Sequence, residues 1–184
     1  MAIFTFAYKK MIDNNPANAQ DVDQHIAYLS ENIISIDVDA YNLFSPDIGD
    51  VYYSYENDIF LECVGVGTTK AWDFGVYSQN TPIEGTPSDP LAICLMGTKT
   101  VEDSLLPRND DGNHASLTNH ARQDTNYFGP DAGDYLPVPC NEADDQIDAV
   151  GERTEILVAQ LKLLPGCPQG DLPRQYINWV WKSN

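Results

Sequence analysis

The sequence predicts a mainly β protein, a β-sandwich or barrel-like head with one N-terminal α-helix. Three observations carry that expectation. Short runs rich in β-branched and aromatic residues recur from Val51 to the end of the chain, each bounded by Gly, Pro, Asn or Asp. A single stretch, Asn15 to Ile33, joins a helix-start signal to apolar residues at helical spacing. Of 184 residues 42% are hydrophobic, with three Trp, ten Tyr and six Phe, which fills one core and argues against disorder.

At the N-terminus, Ile3, Thr5 and Ala7 alternate with Phe4, Phe6 and Tyr8, a pattern that suits a strand. Asn15 then fits an N-cap with Pro16 at the first helical position, and Asp21 and Asp23 fall near the positive end of the helix dipole. Val22, Ile26, Leu29 and Ile33 follow at steps of four, three and four. This is a heptad seam with branched residues in both core positions, a pattern that favours three or more strands in parallel coiled coils. It spans under two heptads, too short to be stable alone. Two readings follow: an amphipathic helix packed on its own domain, or a short oligomer-forming neck. Ile34 to Asp39 switches to strict alternation, and Ser45-Pro46-Asp47 closes the unit. Residues 1–45 therefore read as a strand-turn-helix anchoring and oligomerisation segment, and residues 46–184 as a β-rich head.

Within the head, Asp50 to Tyr55 and Ile59 to Val66 read as a hairpin turning at Glu56-Asn57-Asp58. Ala71 to Tyr77 reads as a strand with Trp72, Phe74 and Val76 on one face. A Pro- and Gly-bearing loop, Ser78 to Pro90, precedes a short buried strand, Leu91 to Met96. From Glu102 to Pro139 the chain is polar and turn-rich, and Asn141 to Val150 reads as a helical turn or two. Thr154 to Leu164 suits a strand, with a helix as the alternative, and Gln175 to Lys182 is a strand with Ile177, Trp179 and Trp181 on one face.

Net charge is −18, with 28 acidic against ten basic residues. Such a chain repels phosphate backbones, so nucleic acid is not an expected partner. No apolar run approaches the length of a membrane span, and membrane insertion is not expected. The charges of MAIFTFAYKKM follow its apolar residues, the reverse of a signal peptide. Cys63, Cys94, Cys140 and Cys167 are too widely spaced for a zinc clip and read as buried free thiols.

No pattern predicts catalysis. There is no G-x-S-x-G elbow and no phosphate loop, since Gly65-Val66-Gly67-Thr68-Thr69 lacks the lysine and the helix. Cys140, His114 and Asp110 could be assembled into a triple, as in any chain of this size. Asn109 to Asn113 has oxygen ligands beside a glycine but neither the spacing nor the downstream Glu of a calcium loop. His114 and His120 lie six apart in a polar loop, off the helical spacing that aims two imidazoles at one metal. Neither a metal nor a cofactor is expected. Exposed aromatics beside Asp and Asn are the remaining lead, above all Trp72, Tyr127 and Tyr135, which suit sugar stacking or protein contact.

Two stretches carry a family resemblance. Phe4 and Phe6, then Asn15, Pro16, Ala17 and Ala19, then Val22, Ile26, Leu29 and Ile33 resemble the N-terminal strand, turn and helix of tailed-phage fibre and appendage proteins. Ile48-Gly49-Asp50-Val51-Tyr52-Tyr53 with Leu61 to Gly65 is similar to the opening of phage tail-collar and fibre-tip domains, whose chains close on a strand like Tyr176 to Trp181. The glycine-rich middle of that family has no counterpart in Lys70 to Asp171. The resemblance implies a non-enzymatic structural protein of the virion, assembled in the host cytoplasm: a fibre, spike or head/tail decoration subunit. Its implied partners are sister chains, as a trimer joined through Val22, Ile26, Leu29 and Ile33, other virion proteins, and a host surface. The alternative expectation is a soluble calcium-assisted or sugar-directed binding module with no place in a virion.

Overall fold

The central element is the apolar run that the sequence left between strand and helix. In the computed structural model, which describes residues 5–11, 15–22, 51–54, 56–65, 70–78, 85–86, 89–100, 135–167 and 177–184, it is a strand buried on both faces. Numbered in chain order, the strands are β1 (Thr5–Met11), β2 (Gln20–Asp21), β3 (Tyr52–Tyr53), β4 (Asn57–Gly65), β5 (Ala71–Ser78), β6 (Gly85–Thr86), β7 (Asp89–Pro90), β8 (Ala92–Lys99), β9 (Leu136–Pro137), β10 (Gln146–Ile147), β11 (Ile156–Leu163) and β12 (Ile177–Ser183). The larger sheet runs β2-β1-β4-β11, with β3 continuing the β4 side of β11 and β8 on its other side. The smaller sheet is built on β5, flanked by β12 on one side and by β9 and β10 on the other. All the pairings are antiparallel.

The two sheets share a core. Ile59, Cys94, Met96, Leu157, Ala159 and Leu161 of the larger sheet pack with Val76, Leu136 and Val138 from the smaller one. Leu61 and Cys63 pack with Ala71, Phe74 and Ile147. The opposite face of β11 is buried too, where Ile156 and Val158 cluster with Met11 and Phe60. Two buried faces make a strand read as a continuous apolar run, which is why Ile156 to Leu163 showed no clean alternation. The sheets are joined where the chain crosses between them: Val138 N–H donates to Phe74 O, while Glu155 N–H donates to Pro139 O and Asn141 N–H to Arg153 O.

The β-rich prediction stands, as do the strands at Ala71, Leu91, Thr154 and Gln175. The expected α-helix does not. Asn15 does cap a turn with its side chain, accepting from the Ala17 N–H at 3.0 Å, and Pro16 is its first residue, but the turn is a 3₁₀ element of three residues, Pro16–Asn18. Ala19 is already extended, Gln20 and Asp21 pair with β1, and Val22 N–H donates to Tyr8 O. Asp21, expected at a helix dipole, instead lies 2.7 Å from Lys9. The cap marks where a turn begins, and pairing with β1 decides how far it continues. No α-helix occurs among the described residues; Ile26, Leu29 and Ile33 lie outside them.

Three further expectations are corrected. β3 and β4 do not form a hairpin; both pair along the same side of β11, with Ser54 at the break between them. Ser54 N–H donates to Leu161 O, its Oγ accepts from Leu161 N–H, and its carbonyl accepts from Gln160 Nε2, so a side chain completes the ladder there. Glu56, Asn57 and Asp58 are accordingly buried rather than an exposed turn. In β5, Trp72 does not share a face with Phe74. Asp73 takes a left-handed φ of 55° opposite a register shift in β12, and the extra residue puts Ala71 in phase with Phe74. Finally, Asn141 to Val150 is not helical; it turns into β10, whose Ile147 enters the core.

Candidate functional site

The bulge at Asp73 aims Trp72 away from the shared core and into an open groove of about 510 Å³. Lys70, Trp72, Asp73, Asp144, Asp145, Gln146 and Asn184 line it. β5 supplies Trp72 and Asp73, the turn into β10 supplies the acidic pair and Gln146, and the chain end beyond β12 supplies Asn184. The β5–β10 register places Trp72 opposite Gln146, and the β5–β12 register places it opposite Lys182. Residues more than 100 positions apart in sequence thus meet: Asn184 Oδ1 accepts from the Lys70 N–H.

Two lysines, Lys70 and Lys182, meet four carboxylates at the groove, those of Asp73, Asp144, Asp145 and Asp148, so it keeps a net negative charge. Lys182 Nζ is 2.6 Å from Asp73 Oδ2, and this hydrogen bond holds the Asp73 carboxyl below its ordinary value and raises the Lys182 ammonium. Lys70 lies within 4 Å of both Asp144 and Asp148, at 3.7 and 3.9 Å. Asp145 Oδ1 accepts from the Cys140 N–H at 2.7 Å, and Asp145 itself takes a left-handed φ of 52° to close the turn. What the groove presents is an indole face, amides on both sides, and carboxylates that retain acceptor lone pairs. That chemistry matches a neutral ligand carrying hydroxyl donors and acceptors around an apolar face. Among the described residues, no group of three or more His, Cys, Asp or Glu is arranged to hold a metal ion.

Tyr135 flanks the groove. It is exposed, its hydroxyl donates to Asp73 Oδ1 at 3.4 Å, and its ring lies so close over β5 that a Cβ at Gly75 would come within 2.2 Å of it. Two of the three aromatic residues singled out from sequence are therefore linked through Asp73. Tyr127 lies outside the described residues, as do Asn109 to Asn113, His114 and His120. Val22, the first residue of the expected seam, is held beside β1 by its N–H, which donates to Tyr8 O. Lys70, Lys182 and Asn184 escaped sequence reading because only the sheet register brings them to Trp72.

No family model, curated protein or solved structure matches this chain.

A second concentration of chemistry lies on the face of the larger sheet turned away from the smaller one. Lys99 and Asp58, both fully buried, form an ion pair at 2.5 Å. Glu56 and Gln160 are also fully buried, the former two residues before Asp58 and the latter two residues after Val158, the register partner of Asp58. Lys10 is 5% exposed, and burial lowers its ammonium to about 8, against the opposing pull of Asp58. The cysteines are all buried free thiols, as the sequence indicated. Burial pushes the Cys63 and Cys140 thiols up, with Asp145 adding to the effect at Cys140, so neither offers a ready thiolate.

Proposed function

We propose that this chain is a structural subunit of a tailed-phage virion whose β-rich body presents a saccharide-directed groove at Trp72. The observation that carries the reading is the groove: a tryptophan beside paired carboxylates and two amides, open to solvent, on a two-sheet scaffold. An indole ring stacks on the C–H face of a sugar ring, and Asp73, Asp144, Gln146 and Asn184 supply acceptors and donors to its hydroxyls. The resemblance of the N-terminal segment and of Ile48 to Gly65 to phage appendage proteins supports the virion setting. In that setting sister chains join as a trimer through Ile26, Leu29 and Ile33, other virion proteins hold the assembly, and the groove meets a host surface.

Isothermal titration against neutral oligosaccharides tests the groove. Binding that Trp72→Ala weakens by more than about tenfold, with the fold intact by circular dichroism, is the expected result. Oligosaccharide binding unchanged by that substitution would refute it. The alternative, a free-standing sugar-directed module, shares the groove and differs in assembly. Size exclusion with light scattering separates the two: a trimer or larger ring supports the virion subunit, and a stable monomer at micromolar concentration removes it.

A further inference from the structure

The buried Lys99–Asp58 pair has the makings of a covalent bond. Lys99 Nζ and Asp58 Oδ2 are 2.5 Å apart, and both side chains are wholly shielded from water. They sit on strands that flank β11 from opposite sides: Asp58 is in register with Val158, and Lys99 with Ile156. The lysine side chain therefore crosses over β11 to reach the carboxyl. On the same face lie the apolar Met11, Phe60, Ile156 and Val158 and the buried Lys10, whose ammonium feels the Asp58 charge, and water is kept from the pair. A neutral amine in contact with a carboxylic acid, held without freedom to separate, is the reactant arrangement for amide formation.

We propose that Lys99 and Asp58 form an intramolecular isopeptide bond that ties β8 to β4 across β11. The ammonium passes one proton to the Asp58 carboxylate, and the freed Lys99 Nζ lone pair attacks Asp58 Cγ. A Nζ–Cγ bond forms, the Cγ–O bond of the protonated hydroxyl breaks, and the amine's second proton leaves with that hydroxyl as water. The products are one amide and one water, with no oxidant, reductant or activating group consumed. Exclusion of bulk water then protects the amide from hydrolysis. The bond joins the two neighbours of the central strand and closes a covalent loop from residue 58 to residue 99, which keeps β4 and β8 together when the rest of the sheet opens. That is a property of value to a subunit under mechanical load.

Intact mass spectrometry of the denatured full chain tests this directly. The expected mass is ~18 Da below that of the sequence, the loss of one water. After proteolysis, one branched species should contain the peptide bearing Asp58 and the peptide bearing Lys99. An unshifted mass, or a loss of water that maps elsewhere in the chain, overturns the proposal. Lys99→Arg should return the full mass, whereas dehydration at an Asp-Gly step such as Asp111-Gly112 would persist in that variant. The wild-type measurement decides the bond even where a variant fails to fold.

Discussion

Lys10 offers a pH-dependent stability whose size can be worked out. Its ammonium is 5% exposed and titrates at about 8 in the folded protein, against 10.5 for the free side chain. Between those values the unfolded chain binds the extra proton, so stability rises with pH across that window. From pH 7 to pH 9 a group with these two values contributes about 1.3 kcal/mol of added stability. The Cys63 and Cys140 thiols work in the opposite direction. Burial raises them above their ordinary 9.0, so the folded state keeps protons that the unfolded chain loses, and stability falls as pH climbs past that point. Tyr8, raised by burial above 10.0, adds to that fall at higher pH, and so does Lys9, raised above 10.5 chiefly by its bond to Asp21. The substitution Lys10→Met separates these effects, because the thiols, Tyr8 and Lys9 are common to both proteins and cancel in the difference. Urea unfolding of both proteins at pH 7, 8 and 9 is the assay. Wild type should gain on the Met variant by about 1.3 kcal/mol over that range, from a starting point at which the variant is the more stable. A difference that stays constant with pH, or one that widens in favour of the variant, would refute the assignment of a buried, destabilising charge to Lys10.

Other substitutions probe separate parts of the fold. Gly75→Ala sets a methyl group 2.2 Å from the Tyr135 ring and must displace it, breaking the hydrogen bond to Asp73. The expected cost is about 1 kcal/mol by chemical denaturation, and Tyr135→Ala in the same chain should relieve most of it. Leu157→Ala removes a fully buried side chain from the core between the sheets and should cost about 2–5 kcal/mol in urea unfolding. Asn15→Ala deletes the cap on Ala17 N–H and should cost roughly 0.5–1 kcal/mol, with no change in helical signal by circular dichroism, because the element it caps is one 3₁₀ turn.

Strand identity was legible wherever one short-range signal sufficed. Ala71 to Tyr77 and Gln175 to Lys182 announce themselves by β-branched and aromatic content, and Leu91 to Met96 by apolarity between breakers. Pairing was not legible. The apparent hairpin across Glu56 to Asp58 is a tandem arrangement on one side of β11, and its polar residues are buried because Asn57 and Asp58 pair with β11, about one hundred positions later, and Lys99, some forty positions later, reaches Asp58. The helix failed for a related reason. Asn15 and Pro16 are a true local start, but Lys9 competes for Asp21 and Tyr8 O for Val22 N–H, and long-range pairing outweighs weak helical propensity. At the groove, Trp72 was picked out as an exposed aromatic beside an aspartate. It is half-buried, and what turns it from the shared core to the groove, a bulge at Asp73, has no signature in the sequence, since aspartate adopts a left-handed φ at some cost wherever pairing demands it.

The groove and the buried pair lie on different sheets and on different sides of the shared core, which makes their roles separable by experiment. Trp72 and its partners belong to β5, the turn into β10 and the chain end beyond β12. Lys99 and Asp58 lie on the face of the larger sheet that points away from β5. Packed sheets stand about 10 Å apart, so at least one sheet and the core layer intervene, and substitutions at such separated sites act additively. Lys99→Arg should therefore lower resistance to unfolding while leaving oligosaccharide affinity within about twofold, and Trp72→Ala should do the reverse. Joint loss of both properties from a folded Lys99→Arg protein would show that the larger sheet sets the geometry of the groove. The most direct route for such coupling is the crossing segment from Leu136 to Asn141, which hydrogen-bonds to Phe74 on one side and to Arg153 and Glu155 on the other. That segment also places the Cys140 N–H on Asp145, a groove residue, so a shift of β11 would be felt first at the acidic side of the groove and only then at Trp72.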